Sequence, residues 1–482
     1  GTGARDTLVG KFRAVIGSAF ADTLSGDDGD NVFRPRGGAD TIAGRGGWDR
    51  LDFRDEANAD PDGDGFAVTA VLAADGSGAA RDSGGALDSF TGIEWLRGSS
   101  FADSLVATGP GGAVFGALFL PLSAPFELEG WAGDDLLVGV PDSGVVARYA
   151  ADQGNVVVDL AAGFALDEFG YRDTLVGLWG IAGTSAADTI LLSAAGDYAR
   201  PGAGADVIDG RDGIDLVDYF GAPAGIVADL AAGTVQDGYG ATDTLVSIEA
   251  VGGTDQADTL LGDAGANWFI PRGGANLVDG RGGVDTVVYF YAANGVAVNL
   301  AAGIATGDGS GTDTLVAIEA AIGSAFNDVL RGDAGANTLY GGAGDDVLDG
   351  GAGNDLLDGG VGLDTVDYSQ AAGRVVIDLS IAGAQATLGS GTDTLVGIEA
   401  IVATPYNDSL TGDAGPNRLF AGAGNDYAYG AGGDDIIDGG PGDDSLYGGT
   451  GNDTVSYLLA TGPVTVSLAL QYVRQDTGGG GH

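Results

Sequence analysis

The residues of this chain best suited to chemistry are aspartates set in glycine-rich turns. Residues 332–367 divide without a gap into GDAGANTLY, GGAGDDVLD, GGAGNDLLD and GGVGLDTVD. Residues 412–456 divide into GDAGPNRLF, AGAGNDYAY, GAGGDDIID, GGPGDDSLY and GGTGNDTVS. The same nine-residue register is legible at 17–52, 183–218 and 253–288. The first six residues, Gly-Gly-x-Gly-x-Asp where the pattern is strict, permit positive φ and supply one carboxylate, so they read as a turn. Such a turn exposes backbone carbonyls beside the carboxylate. That is the donor set of a hard cation such as calcium, which takes about six to eight oxygens at roughly 2.3–2.6 Å.

Other chemistries are excluded by what is missing. The chain has no cysteine, so disulfides, thiolate metal sites and cysteine nucleophiles are absent, and His482 is its single histidine. No Gly-x-Ser-x-Gly elbow occurs. Asp and Glu number 69 against 20 Lys and Arg, for a formal charge of −49. Such a charge disfavours nucleic acid and anionic membranes and leaves cations as the natural partners. Disorder would need low hydrophobicity, yet 44% of residues are hydrophobic. The 92 glycines come with only 13 prolines, which excludes collagen. No apolar run is long enough for a transmembrane segment, and no signal peptide opens the chain. The absence of methionine suggests a piece of a longer product.

The elements that must position the aspartates follow from the other third of each nonapeptide. Its last three residues put one aliphatic side chain between two others, as at Leu348 and Leu357, which predicts a short strand. One such strand cannot bury its apolar side alone, whereas stacked turns build a continuous core. Above the nonapeptides lies a second repeat. Asp-Thr-Leu-Val recurs at Asp6, Asp173, Asp243, Asp313 and Asp393, with a variant at Asp88, and Ile-Glu follows at Glu94, Glu249, Glu319 and Glu399. Six modules result: 1–87, 88–172, 173–242, 243–312, 313–392 and 393–482. Alternating segments such as Val375–Leu379 and Val296–Leu300 predict further strands, and helix signals are weak throughout.

The nonapeptide resembles the RTX (repeat-in-toxin) repeat, Gly-Gly-x-Gly-x-Asp-x-aliphatic-x, over about half of the chain. The resemblance implies an all-β fold, an elongated parallel β-roll or β-solenoid binding several calcium ions between its turns. Its coil holds two nonapeptides, so stacked ligands stand 18 residues apart. Asp346 and Asp364, Asp426 and Asp444, and Asp435 and Asp453 meet that requirement. Asn337 with Asp355, and Asn417 with Asp435, pair one neutral ligand with one acid, and Asp206 and Asp215 extend the expectation into the third module. The glycines expected to shape the sites are Gly341 and Gly344, Gly350 and Gly353, Gly359 and Gly362, Gly439 and Gly442, and Gly448 and Gly451, with Gly424 and Gly433 in the two looser turns. The alternative is a set of Asp/Gly turns with solvated carboxylates.

The early modules depart from the pattern by carrying arginine as the second turn residue, at Arg36, Arg45, Arg211, Arg272 and Arg281. One expectation is that these guanidinium groups pair with Asp40, Asp49, Asp215 and Asp285 in place of calcium; the alternative is that they project into solvent. Trp48, Trp131 and Trp268 are expected to cover a roll edge, with sugar or subunit contact as the rival. The second module loses the register at 107–128, where the apolar stretch from Phe115 to Phe126 reads as a capping loop or a protein contact. The ends, GTGARDTLVG and QDTGGGGH, are complementary in register, which suggests head-to-tail self-assembly or a segment of a longer array.

The functional expectation is a non-enzymatic extracellular structural solenoid, rigidified by calcium, in a surface layer, filament or adhesin stalk on a bacterial cell surface. The resemblance also implies export by type I secretion. The alternatives are the calcium-binding tail of a secreted protease, lipase or epimerase, and a glycan-binding adhesin.

Overall fold

The computed structural model describes residues 12–54, 67–82, 85–108, 112–115, 118–121, 126–140, 144–150, 154–167, 169–307, 311–458, 460 and 464–468. The Asp-Thr-Leu-Val phrase at Asp6 and the C-terminal segment QDTGGGGH lie outside them. The described chain is all-β and contains no α-helix. It divides into two units, residues 1–222 with 232–251 and residues 223–231 with 252–482.

In the second unit a nonapeptide forms half a coil, a turn followed by a strand of three residues, lengthened to six at Thr338–Ala343 and Leu356–Val361. Strand Val347–Asp349 lies parallel to Val329–Arg331 on one side and Thr365–Asp367 on the other, each 18 residues away. The intervening strand Thr338–Ala343 pairs instead with Leu356–Val361, again 18 residues on. Successive strands thus join two opposed parallel sheets alternately, and one coil is two nonapeptides, as the resemblance implies. The central aliphatic residue of each strand points inward, and Leu330, Leu339, Leu348, Leu357 and Val366 are all fully buried. Strands such as Val347–Asp349 and Thr365–Asp367 bury only that one residue, so their stability comes from the coils above and below them.

The first unit is built the same way. Thr189–Leu191 pairs parallel with Val207–Asp209, and Tyr198–Arg200 with Leu216–Asp218. Ile190, Ala199, Ile208 and Val217 form its core.

Between nonapeptide runs the coil is lengthened by an antiparallel meander that sequence periodicity does not reveal. Ala297–Asn299 pairs parallel with Val329–Arg331, turns back as Ile304–Thr306, and reverses again into Thr312–Val316. That last strand is the Asp-Thr-Leu-Val phrase, and it rejoins the stack parallel to Leu277–Asp279. The segments predicted at Val296–Leu300 and Val375–Leu379 are therefore strands, and the roll carries short antiparallel additions. The first unit repeats the arrangement with Val157–Asp159, Phe164–Leu166 and Arg172–Val176.

The second module leaves the coil and returns to it. Gly112–Phe115 and Leu118–Pro121 form an antiparallel hairpin, and Phe126–Glu129 then resumes parallel pairing with Trp95–Arg97. What the apolar side chains of this excursion cover falls outside the described residues.

Candidate metal centre

The first glycine of a strict turn is needed for space. A Cβ on Gly341 would collide with Oδ2 of Asp346 and the carbonyl oxygen of Gly359 in the next coil. Gly430, which opens a looser turn, stands in the same relation to Asp435 and Gly448. The second residue is needed for conformation: Gly342 has φ 110° and Gly360 φ 92°, left-handed values that glycine adopts without penalty. Glycine is not universal there, since Arg36, Arg45, Trp131, Arg211, Arg272, Arg281 and Ala431 hold the same left-handed conformation.

The sixth-position aspartates stack as columns. The backbone N–H of Asp346 donates to Oδ1 of Asp364 (2.9 Å), that of Asp426 to Asp444 (3.0 Å) and that of Asp435 to Asp453 (3.3 Å). These are the three pairs expected at 18-residue spacing. Asn337 and Asn417 stack on Asp355 and Asp435 in the same manner (2.9 and 2.8 Å). In the first unit Asp188 donates to Asp206 and Asp197 to Asp215 (2.7 and 2.8 Å).

Each such bond uses only one carboxylate oxygen. The other, Oδ2, is buried without a hydrogen-bond partner at Asp206, Asp215, Asp346, Asp355, Asp364, Asp426 and Asp435. These side chains are at most 3% exposed. A buried, unpaired carboxylate oxygen is costly, so the site calls for a positive partner.

What that partner faces is shown by Asn276, among the described residues the one sixth-position asparagine in a turn with a left-handed second residue. Its Nδ2 donates to the carbonyls of Pro271 and Gly273 (3.3 Å each) and to Oδ1 of Asp313 (2.9 Å). The pocket thus offers the first and third carbonyls of the turn and a carboxylate from the neighbouring coil. Aspartate in that place adds a further oxygen and removes the donor. An all-oxygen site with buried negative charge fits calcium. Among the described residues no three acidic or histidine side chains gather as a metal group, so a cation here must draw on carbonyls as well as on paired carboxylates.

Burial pushes these acids upward, partly offset by the backbone N–H they accept and reinforced by neighbouring carboxylates. Asp346 and Asp426 reach about 7, Asp206 and Asp215 about 8, and Asp355 and Asp444 about 6. Asp364 and Asp435 are raised for the same first reason.

The acids that close the columns were legible only as module markers. Asp243, Asp313 and Asp393 of the Asp-Thr-Leu-Val phrases accept from the backbone N–H of Asp206, Asn276 and Asp355 (2.9, 2.9 and 3.1 Å). Glu249, Glu319 and Glu399 of the Ile-Glu phrases accept from Asp215, Asp285 and Asp364 (3.2, 2.9 and 2.9 Å). Their signal was the module-length repetition itself. The closing aspartates have Oδ2 satisfied by a tyrosine hydroxyl, from Tyr219, Tyr289 and Tyr368 (2.9, 2.8 and 3.0 Å). In the first module phenylalanine, Phe53, stands where the others have tyrosine. There Asp88 keeps a buried, unpartnered Oδ2 and is pushed up to about 7.

The arginines do not neutralise the aspartates of their own turns. Arg211 pairs in a fork with both oxygens of Asp159 (3.0 Å each), and Arg281 with those of Asp229 (2.8 and 2.9 Å). Both partners sit on linker strands 52 residues upstream, while Asp215 and Asp285 keep unpartnered oxygens. The expected pairing fails because a left-handed second residue carries its side chain outward, away from the column. In the first unit Trp48 lies 5.2 Å from Trp95, over which Arg50, Arg97 and Arg148 sit, and Arg54 and Arg97 sit over Trp131. Phe269, beside Trp268, is fully buried.

Comparison with protein families matches the description "RTX calcium-binding nonapeptide repeat (4 copies)" at residues 15–42, 36–57, 182–217, 252–287, 322–357, 332–366, 402–437 and 424–455. A comparison with curated proteins finds no match. The matched segments are the runs of turns that build the carboxylate columns. The chain therefore carries, over somewhat less than half of its length, the RTX calcium-binding nonapeptide repeat, a β-roll repeat whose copies bind multiple calcium ions.

Proposed function

We propose that the chain is an extracellular structural segment, folded and stiffened by calcium, within a surface layer, filament or adhesin stalk on a bacterial cell. The observation that carries this reading is the row of buried carboxylate oxygens without partners, from Asp206 and Asp215 to Asp426 and Asp435. The aspartate columns hold like charges one coil apart, and their mutual repulsion opposes folding while the acids are ionised. When bound, calcium supplies the positive charge and the oxygen coordination that those acids lack. Asp346, Asp364, Asp426, Asp435 and Asp444 would hold it through their carboxylates, with carbonyls of the first and third turn residues completing the shell.

Binding to the folded form alone stabilises it by RT ln(1 + [L]/Kd), about 2.7 kcal/mol per site at a hundredfold excess. In a calcium-poor compartment the chain then stays unfolded, and it folds where calcium is plentiful. Circular dichroism and small-angle scattering with and without calcium test this. Calcium is expected to raise β-content and shrink the radius of gyration; β-structure that persists unchanged in excess chelator refutes it.

A further inference from the structure

The turns of this chain come in two kinds, and the second residue of the nonapeptide separates them. Where that residue is Ser, Thr or Asp, its backbone N–H donates to the sixth side chain of the same turn. Thr184 closes on Asp188 in this way (2.6 Å), Ser324 on Asp328 (2.5 Å) and Thr404 on Asp408 (2.8 Å), and each hydroxyl adds a bond to the same carboxylate (2.9, 2.8 and 2.9 Å). With Asp in second place the closed side chain is a neutral amide: Asp263 closes on Asn267 (2.8 Å), Asp333 on Asn337 and Asp413 on Asn417 (2.7 Å each). Among the described residues no sixth-position side chain of a closed turn leaves a buried oxygen unpartnered, whereas ten aspartates of turns with a left-handed second residue do. Natural asparagine at the closed positions shows that they need an acceptor and not a charge.

We infer that the second residue decides which turns take metal: turns closed by Ser, Thr or Asp take none, and turns whose second residue is left-handed and whose sixth is aspartate take calcium, whether or not the second residue is glycine. This deepens the calcium reading above and rests on it. It keeps the arginine turn ending in Asp215 in the metal-binding set and adds those ending in Asp40, Asp49 and Asp285, since each has a buried unpartnered Oδ2. It removes Asn337 and Asn417, whose amide oxygens are already engaged. It also excludes the turn of Asn276, where the amide N–H stands where a cation would.

The two kinds are ordered along the chain. Closed turns come as consecutive pairs at 17–34 and 183–200 in the first unit and at 253–270, 323–340 and 403–420 in the second, the turn from Ser99 to Asp103 being closed singly, and two turns make one coil. Each of these runs therefore begins with a coil held by hydrogen bonds alone, onto which the metal-dependent turns stack.

The test counts calcium on the full chain, loaded, desalted and measured by atomic emission, with circular dichroism in calcium confirming the fold of each variant. Asp346→Asn and Asp215→Asn are expected to lower the count. Asn337→Asp alone is expected to leave it unchanged, because the Asp333 N–H still closes the turn. The double variant D333G/N337D creates an open turn with a carboxylate and is expected to raise the count above that of the unsubstituted chain. A gain with N337D alone, or a count unmoved by D215N, overturns the division while the calcium reading stands. An unsubstituted chain that binds no calcium overturns both.

Discussion

In the absence of calcium the stability of this protein is expected to fall as pH rises, the reverse of a fold held by ionised carboxylates. In the folded chain burial lifts Asp346 and Asp426 from 3.8 to about 7, and Asp206 and Asp215 to about 8. The folded state therefore holds protons that the unfolded state has already released. The contribution is complete below the unfolded value near 4 and is lost progressively as pH climbs from there through 7 to 8. Each such acid removes about 1.4 kcal/mol per pH unit across that window. One acid raised from 3.8 to about 7 costs the ionised fold roughly 4 kcal/mol, a large share of the ~5–15 kcal/mol that holds a typical domain together. Several such acids act within each unit. The assay is urea denaturation followed by circular dichroism on metal-stripped protein at pH 5, 6, 7 and 8, with parallel curves in millimolar calcium. Without calcium the midpoint should drop at every step from pH 5 to pH 8, and calcium should restore it most strongly at pH 8. A calcium-free midpoint that rises with pH, or stays level, would refute the reasoning.

Three further outcomes follow from individual contacts. Gly341→Ala places a methyl group against Asp346 and the Gly359 carbonyl, and should cost roughly 1–3 kcal/mol in urea melts and weaken calcium binding, whereas Gly373→Ala, with open space around it, should stay within about 0.5 kcal/mol. Tyr289→Phe strips the hydroxyl from buried Asp313 and should lower stability by about 1.5–3 kcal/mol at pH 8, with a smaller loss at pH 5, read from denaturation curves. Arg281→Ala breaks a partly exposed fork to Asp229 and should cost only about 0.2–1 kcal/mol, with the calcium count unchanged because Asp285 never relied on it.

Much of this architecture is written locally. The nine-residue period places a glycine wherever the turn lacks room for a Cβ, as at Gly341, and an aliphatic residue wherever the strand faces inward, as at Leu348. Coil, core and oxygen-rich turn can thus be read from the chain itself, because each depends on residues within one nonapeptide or on its repetition. The antiparallel meander could not be read so, since Ile304–Thr306 is a strand only because two neighbours bracket it.

The sequence by itself determined the roll, its all-β character and the acidic chemistry of its turns. Only the tertiary structure decided which oxygens remain without a partner. The partner of Asp313 Oδ2 is a tyrosine 24 residues away, that of Arg281 an aspartate 52 residues away, and that of Asp364 N–H a glutamate in a phrase that looked like punctuation. Those pairings exist because closing the coil brings distant segments to hydrogen-bonding distance. Unmet charge is a property of the closed coil, and it is what leaves room for metal.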